Sequence, residues 1–388
     1  MKKALFSAEK GETSVTVTIG LLGATGKVGQ GALEVLLAAP GCRIVLGGRD
    51  ADRRFGRYKE QGQSVQVMEV DVFDEEALLT FCAECDVVVN CAGPAKRIMD
   101  RVALAALRQS AHYVDAAGDE MLYRLLMKHQ PELTAKGLTF IVSAGIYPGL
   151  SELLPAYAAR ACFDEVERLE LFFAGSGDFS LNAAYDIVCS IEEDSGYGMA
   201  CCVHGQAQKI SGPYRQTYTF PFPAGKRDAY PVLNFEFLEM ARRNRLGIAC
   251  FYNTYPDLSV LGKFMTIKAL QQYKTEEQKI ASARLLGEQY AAGATQGGGY
   301  AQFELLAEGV REGRRLALTG QLLYRGDWNK LSGIVAGSAA LLLQKGGEAV
   351  PGCYLASEGV SPAKMIDALR QHHAEFTCSV CETGARQG

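Results

Sequence analysis

The chain has 388 residues, 48% apolar and 22% charged, with a formal net charge of -4 at pH 7. This length suits two domains, and this apolar fraction excludes a globally disordered chain. The lack of a basic block argues against nucleic acid as a partner, and no apolar run reaches the ~18 residues of a membrane span. The N-terminal MKKALFSAEKGE lacks a signal peptide's apolar core, and the twelve cysteines then read as reduced thiols of a cytoplasmic protein.

After a loose lead-in of about ten residues comes VTVTIGLLGATGKVGQGALEVLL, residues 15–37. A β-branched, apolar run breaks into Gly23, Gly26 and Gly29, and a mostly one-faced apolar helix follows. Strand, tight turn and helix in this order suit a dinucleotide. Gly23 permits the reversal, Gly26 lets the backbone approach a pyrophosphate, Gly29 lets the helix pack on the strand, and the helix N-terminus faces the anion. A P-loop is excluded, because Leu21 and Val28 stand where it needs Gly and Ser or Thr.

The second strand, residues 43–46, runs into Gly47-Gly48-Arg49-Asp50. NAD sites carry an acid about 20 residues past the glycines. Here Arg49 holds that distance from Gly29, two glycines leave room beside it, and Arg53 and Arg54 add charge. An arginine fork suits a 2′-phosphate, so NADP is the expected cofactor. The competing reading makes Asp50 the ribose acid.

Further strands are expected at 65–70, 86–90, 111–115 and 139–142, with helices starting at Asp74 and spanning 98–108 and 121–129. Strands alternating with helices predict an α/β fold, a Rossmann doubly wound parallel sheet of six strands. Asp71-Val72 ends the third strand, Cys91-Ala92-Gly93-Pro94 follows the fourth, and Ala144 to Gly149 follows the sixth. Past residue 150 the pattern becomes α+β. Strands are expected at 168–174, 206–210, 216–222, 248–252, 303–308 and 314–324, and helices at 151–161, 232–243 and 276–292. The expected division is a nucleotide-binding domain at 1–150, a substrate and dimerisation domain with a mixed sheet at 151–330, helices returning to the first domain at 331–376, and a tail at 377–388. C-x-x-C spacing occurs at Cys82/Cys85 and Cys378/Cys381. The first pair reads as core and the second as part of the tail, so no metal is expected.

GATGKVG at 23–29, GGRD at 47–50, DVVVNCAGP at 86–94, YVDAAGDE at 113–120 and AGIYPGLSELL at 144–154 come in an order that resembles the saccharopine dehydrogenase-like reductases. The resemblance implies NAD(P)-dependent reduction of a C=N bond, or its reverse, at an amino-acid-derived amine. It implies that Gly23, Ala24, Thr25, Gly26, Lys27, Val28 and Gly29 hold the pyrophosphate, and that Arg49, with Arg53 near it, holds the 2′-phosphate. Asp71 and Val72 would flank the adenine. Cys91, Ala92, Gly93 and Pro94 would pass beneath the nicotinamide ribose, and the loop containing Gly145 and Tyr147 would close on the nicotinamide. The middle domain departs from the pattern. Arg215, Arg227, Arg242, Arg243 and Arg245 form no obvious cluster for a dicarboxylate, whereas Tyr185, Tyr197, Tyr214, Tyr218, Phe220 and Phe222 suggest an aromatic site.

Reducing C=N needs a proton on nitrogen beside the hydride that the cofactor supplies. Candidate donors are Lys96, Asp119, Tyr147 and His204, with Tyr147, Tyr185 and His204 also as substrate contacts. Each has a bland reading: a helix-start lysine, a helix cap, a packed phenol, a structural histidine. The expected activity is NADPH-dependent imine reduction, with a siderophore-type thiazolinyl imine as a fitting substrate, free or tethered to a carrier protein, in a homodimer. The alternatives are an enoyl or carbonyl reductase and a non-catalytic NADP-binding protein.

Overall fold

The computed structural model describes residues 17–59, 65–177, 180–193, 197–210, 216–255, 258–292, 299–344 and 350–383. Tyr214, Arg215 and the Tyr197 side chain, named above, lie outside them. The first half alternates strictly: β1 (Val17–Leu22), α1 (Lys27–Ala38), β2 (Cys42–Gly48), α2 (Ala51–Lys59), β3 (Val65–Glu69), α3 (Glu75–Ala83) and β4 (Val87–Asn90). There follow α4 (Ala95–Ile98), α5 (Arg101–Arg108), β5 (His112–Asp115), α6 (Glu120–Met127), α7 (Gln130–Lys136), β6 (Thr139–Val142) and α8 (Leu150–Cys162). The helix expected over 98–108 is thus broken, and Met99 turns the chain at φ 53°.

The second half contains β7 (Glu165–Ser176), α9 (Leu181–Glu192), β8 (Tyr197–Gly198), β9 (Ala200–Val203), β10 (Gln206–Lys209), β11 (Gln216–Thr219) and β12 (Lys226–Leu233). Next come α10 (Phe235–Arg243), β13 (Ile248–Thr254), α11 (Leu258–Ala269), α12 (Glu276–Ala292), β14 (Tyr300–Arg311) and β15 (Arg314–Arg325). The chain ends with α13 (Trp328–Gln344), β16 (Gly352–Leu355), α14 (Ala356–Gly359), α15 (Pro362–Gln371) and β17 (Ala374–Glu382). The expected helix at 232–243 begins late. Val232 and Leu233 finish a strand, and the Asn234 carboxamide accepts the Phe237 N–H to cap α10.

Seven parallel strands form the first sheet, in the order β16-β6-β5-β4-β1-β2-β3. Strands such as β4, VVVN, are buried along their whole length because helices cover both faces. The seventh strand, β16, arrives from the C-terminal segment and pairs with β6. The nearby α13 lies against α1 so closely that a Cβ on Gly333 would stand 1.7 Å from the Val28 carbonyl oxygen, and one on Gly31 would stand 1.9 Å from that of Lys330.

The second sheet has ten strands, running β10-β9-β13-β7-β14-β15-β17, with β12 linking β13, β11 and β8. β10 pairs with β9 and β11 with β12, both antiparallel. Residues 377–382, expected in a tail, are part of β17 and place Cys378 and Cys381 on an exposed strand. Cys201 and Cys250 lie on the paired strands β9 and β13 and form a disulfide, so the twelve cysteines are not all free thiols. Strand pairing, which joins positions 49 residues apart, decided this. Helices α9, α11 and α12 share a separate core built on Tyr185, Val188, Ile267, Tyr273 and Leu286. We call this unit the helical cap. Among the described residues no helix is long and apolar enough to cross a membrane, and no cluster of His, Cys, Asp or Glu is placed to hold a metal ion.

Candidate functional site

The strand order reverses between β1 and β4, and ligands of such sheets bind outside the carboxyl ends of the strands at that point. Gly23 has φ 81°, and a Cβ there would lie 2.5 Å from the Cys91 carbonyl. A Cβ on Gly29 would lie 2.1 Å from the Gly23 oxygen. Both glycines are demanded by protein packing. Gly26 is different: a Cβ there would meet only the Gly23 oxygen, at 3.5 Å, so the space above the turn is open. Gly26 caps α1 without a side chain, and the first turn carries no acid. An exposed helix N-terminus in an open, glycine-walled turn fits a pyrophosphate. Lys27 points elsewhere, its Nζ lying 2.6 Å from Asp327 Oδ2.

Arg49 stands exposed at the end of β2. Asp50 Oδ2 receives Arg53 at 3.4 Å and Arg54 at 3.9 Å, which leaves Arg49 as the guanidinium at that corner with no partner among the described residues. This favours a 2′-phosphate there over a ribose held by Asp50. Gly47 does not serve to make room: a Cβ there would strike Leu22 and Phe81, both at 2.7 Å. Asp71 Oδ1 accepts the Phe73 N–H at 3.0 Å, and Phe73 is 54% exposed with the Arg101 guanidinium 5.4 Å from its ring centre. Phe73, beside the Asp71-Val72 end of β3, escaped the sequence reading.

Beneath the β4 end lies a buried polar network. Asn90 donates to Asp115 Oδ2 at 3.1 Å and to Tyr113 at 3.2 Å, and accepts the Ala92 N–H at 3.1 Å. Tyr113 donates to Asp115 Oδ2 at 2.5 Å, while Asp115 Oδ1 accepts the Ala117 N–H at 2.8 Å. One carboxylate thus holds the β5 loop, and one carboxamide ties that loop to the Cys91–Pro94 segment. Burial raises the Asp115 pKa against these hydrogen bonds.

Of the four expected proton donors, Lys96 and Asp119 meet. The Lys96 ammonium sits between Asp119 and Glu193 Oε2, the latter at 2.5 Å, with its side chain 9% exposed. Burial opposes the charge, but the bonds from Asp119 and Glu193 prevail and lift the Lys96 pKa above its ordinary value. Asp119 Oδ1 also caps α6 by accepting the Leu122 N–H at 3.1 Å. Tyr147 lies apart from them, its ring 4.7 Å from that of Phe251 and the residue 39% exposed. The protein packed around its phenol, with Tyr255, Glu152 and Glu236 nearby, raises the phenol pKa above its ordinary value. His204 is not brought in. It sits at φ 46° in the β9–β10 turn, with its N–H on the Gly247 oxygen at 2.6 Å, at the start of β13. Tyr185 is buried in the cap and donates to Glu276 at 2.9 Å beneath the Arg97 guanidinium.

The expected aromatic set also divides. Tyr218 stacks on Phe172, and Phe220 packs with it on the sheet face opposite Phe251 and Phe173, while Phe222 is 81% exposed. A different aromatic run neighbours Tyr147. Tyr255 lies 6.1 Å from Tyr230 and 5.9 Å from Phe264, and Trp328 lies 6.0 Å from Tyr290 and 6.1 Å from Phe173. Trp328 rests on Gly175 and Gly177: a Cβ on Gly175 would lie 2.4 Å from the indole and one on Gly177 3.0 Å from it. These residues come from elements far apart in sequence, so no local pattern marks them. Three of the arginines are engaged elsewhere: Arg227 with Tyr300, Arg242 with Glu239 and Gly205, Arg243 with Glu358.

Two buried acids stand behind the Tyr147 loop. Glu152, 2% exposed in the first turn of α8, accepts the Gly149 N–H at 2.5 Å and the Ser151 hydroxyl at 2.9 Å. Glu236, 4% exposed in the first turn of α10, accepts weakly from Ser143 at 3.4 Å. Burial pushes their pKa values up to about 7 and about 8, with Glu152 adding to the rise at Glu236.

Residues 19–141 match the family model of the saccharopine dehydrogenase NADP binding domain. Among solved structures, the apo histidine-tagged saccharopine dehydrogenase (L-Glu forming) from Saccharomyces cerevisiae shares this fold, with a TM-score of 0.66 and 14% identity, over 94% of this chain and all of that one. The DAP dehydrogenase of C. glutamicum in complex with DAP aligns over 92% of this chain and 98% of its own, at 18% identity and a TM-score of 0.45. No curated protein sequence matches the chain.

Proposed function

We propose that this chain, whose residues 19–141 are a saccharopine dehydrogenase-type NADP-binding domain, is an NADPH-dependent oxidoreductase acting on a C=N bond or the corresponding amine. The cofactor would supply hydride to carbon. The protein's part is to hold NADP along the glycine turn, Arg49 and the Cys91–Pro94 segment, to present the substrate, and to deliver a proton to nitrogen. Tyr147 is the donor we favour. It lies in the loop that follows β6 at the carboxyl edge of the sheet, whereas Lys96 is clamped between two carboxylates. The observation that carries this reading is the placement of Tyr147 on Phe251, so that a nucleotide-domain loop meets the second sheet.

The aromatic residues Tyr147, Tyr255, Tyr290 and Trp328, with Arg227, Arg242 and Arg243 engaged elsewhere, support an aromatic substrate over a dicarboxylate. A thiazoline-type imine, free or carrier-tethered, has that character. The test is NADPH consumption by the purified protein with cyclic and open-chain imines beside keto and enoyl compounds. Oxidation only with an imine supports the proposal. Turnover of keto or enoyl compounds without any amine moves the assignment to a carbonyl or enoyl reductase, and tight NADPH binding without turnover moves it to a non-catalytic binder.

A further inference from the structure

The helix α4 is four residues long, too short to hold its own shape. Each of its first three residues is held from the helical cap. Asp186 of α9 accepts the Ala95 N–H through Oδ2 and the Lys96 N–H through Oδ1, both at 3.0 Å. The Lys96 ammonium reaches Glu193 at the end of α9. The Arg97 guanidinium pairs with Glu276 of α12 and lies 4.7 Å from the ring centre of Tyr185. One turn earlier on α9, Asn182 closes over the loop itself: a Cβ on Gly93 would stand 3.3 Å from its side chain. The same loop touches the glycine turn on its other side, where Gly23 faces the Cys91 carbonyl.

The Cys91–Pro94 segment is therefore fixed at both ends by different parts of the molecule. Its start is tied to the sheet by Asn90, and its end is tied to the cap by Asp186. A carboxylate that accepts two successive N–H groups at a helix start makes charge-assisted bonds, and neither N–H has another acceptor among the described residues. We propose that Asp186 is a positioning residue for the dinucleotide: carried by the cap, it sets the loop that underlies the nicotinamide end of NADP, so cofactor affinity depends on the cap being docked. The proposal rests on the NADP reading of the site and extends it to a helix that belongs to no nucleotide motif.

The test measures NADPH affinity by fluorescence titration of the full-length protein, which needs no substrate. Asp186→Asn has one acceptor oxygen in place of two and sets an N–H₂ against a backbone N–H. Roughly a tenfold weaker NADPH affinity is expected, on the scale of one lost charge-assisted bond. Glu192→Gln, which breaks the Glu192–Lys279 pair inside the cap, is expected to bind NADPH as the wild type does. With an active substrate in hand, Asp186→Asn raises KM for NADPH more than it lowers kcat. An Asp186→Asn protein that is folded by circular dichroism and binds NADPH within twofold of wild type overturns the proposal while leaving the NADP reading intact. A wild-type protein that binds no NADPH overturns both. If Asp186→Asn does not fold, Asn182→Ala is titrated instead: roughly threefold or greater weakening supports the docked-cap arrangement, and unchanged affinity overturns it.

Discussion

The Lys96 ammonium lies 2.5 Å from Glu193 Oε2, a contact that joins the nucleotide-binding half of the chain to the end of a helix 97 residues away. With Asp119 on its other side, this lysine is a bolt between the two halves. Lys96→Met should therefore act first on stability. Glu193 and Asp119 keep 28% and 35% of their side-chain surface, so water takes over part of their solvation, and a loss of about 1–2 kcal/mol is expected. A thermal melt with a midpoint unchanged within a degree would contradict the clamp.

Tyr147→Phe removes the phenol and keeps the ring on Phe251. We expect kcat on the active imine to fall about 10²-fold, the usual scale for a lost general acid, with NADPH affinity unchanged. Steady-state kinetics beside a nucleotide titration separate the two. A variant as active as wild type would remove Tyr147 from proton transfer.

Arg49→Ala tests the cofactor assignment. The loss of a guanidinium from a 2′-phosphate should weaken NADPH by about tenfold to a hundredfold and leave NADH within about twofold. Equal loss for both nucleotides would show that Arg49 does not read the phosphate.

The buried acids predict a pH dependence of stability. Glu152 and Glu236 ionise at about 7 and about 8 in the fold, against 4.5 for an ordinary glutamate. Between those values the folded protein retains protons that the unfolded chain has released. Their contribution to stability is therefore lost as pH rises from about 4.5 to about 8, by up to about 1.4 kcal/mol per pH unit for each group. Glu236→Gln has no such proton to lose. Its melting temperature should gain on the wild type from pH 5 to about pH 8 and then level off, and a gap that does not change with pH would refute the assignment.

Helix α13 approaches α1 backbone to backbone. Gly333→Ala would place a methyl carbon 1.7 Å from the Val28 oxygen before any relaxation. The helices must part, and a loss of about 1–3 kcal/mol is expected in chemical denaturation. Because the N-terminus of α1 is the proposed seat of the pyrophosphate, NADPH affinity should fall as well.

The nucleotide-binding half was legible because its signals are local. A run such as VTIGLL predicts a buried strand, three glycines at three-residue spacing predict the turn, and Arg49 follows within a few residues of its own strand. Even there, local reading gave the wrong reason for Gly47, which makes way for Phe81 and Leu22 rather than for a phosphate. The proton-donor candidates separated for the opposite reason. Lys96, Asp119, Tyr147 and His204 all lie at loop or strand ends where chemistry is plausible, and only the fold decides what faces them. It gave Lys96 two carboxylates, Tyr147 the ring of Phe251, and His204 a turn beside Gly247. Asp186 and Glu193 do share a helix face at seven-residue spacing, but nothing in that spacing says that the face meets α4. Tyr255, Tyr290 and Trp328 sit on separate elements and come together through the second sheet, the cap and the returning C-terminal helix. By itself the sequence determined the phosphate-binding turn and six alternating strands of the doubly wound sheet, since strand, turn and helix signals lie along neighbouring residues; the seventh strand, β16, joins from the far end of the chain. Tertiary structure alone decided which side chains are spent on joining the halves and which remain for a substrate, because that depends on surfaces brought together from 90 or more residues apart.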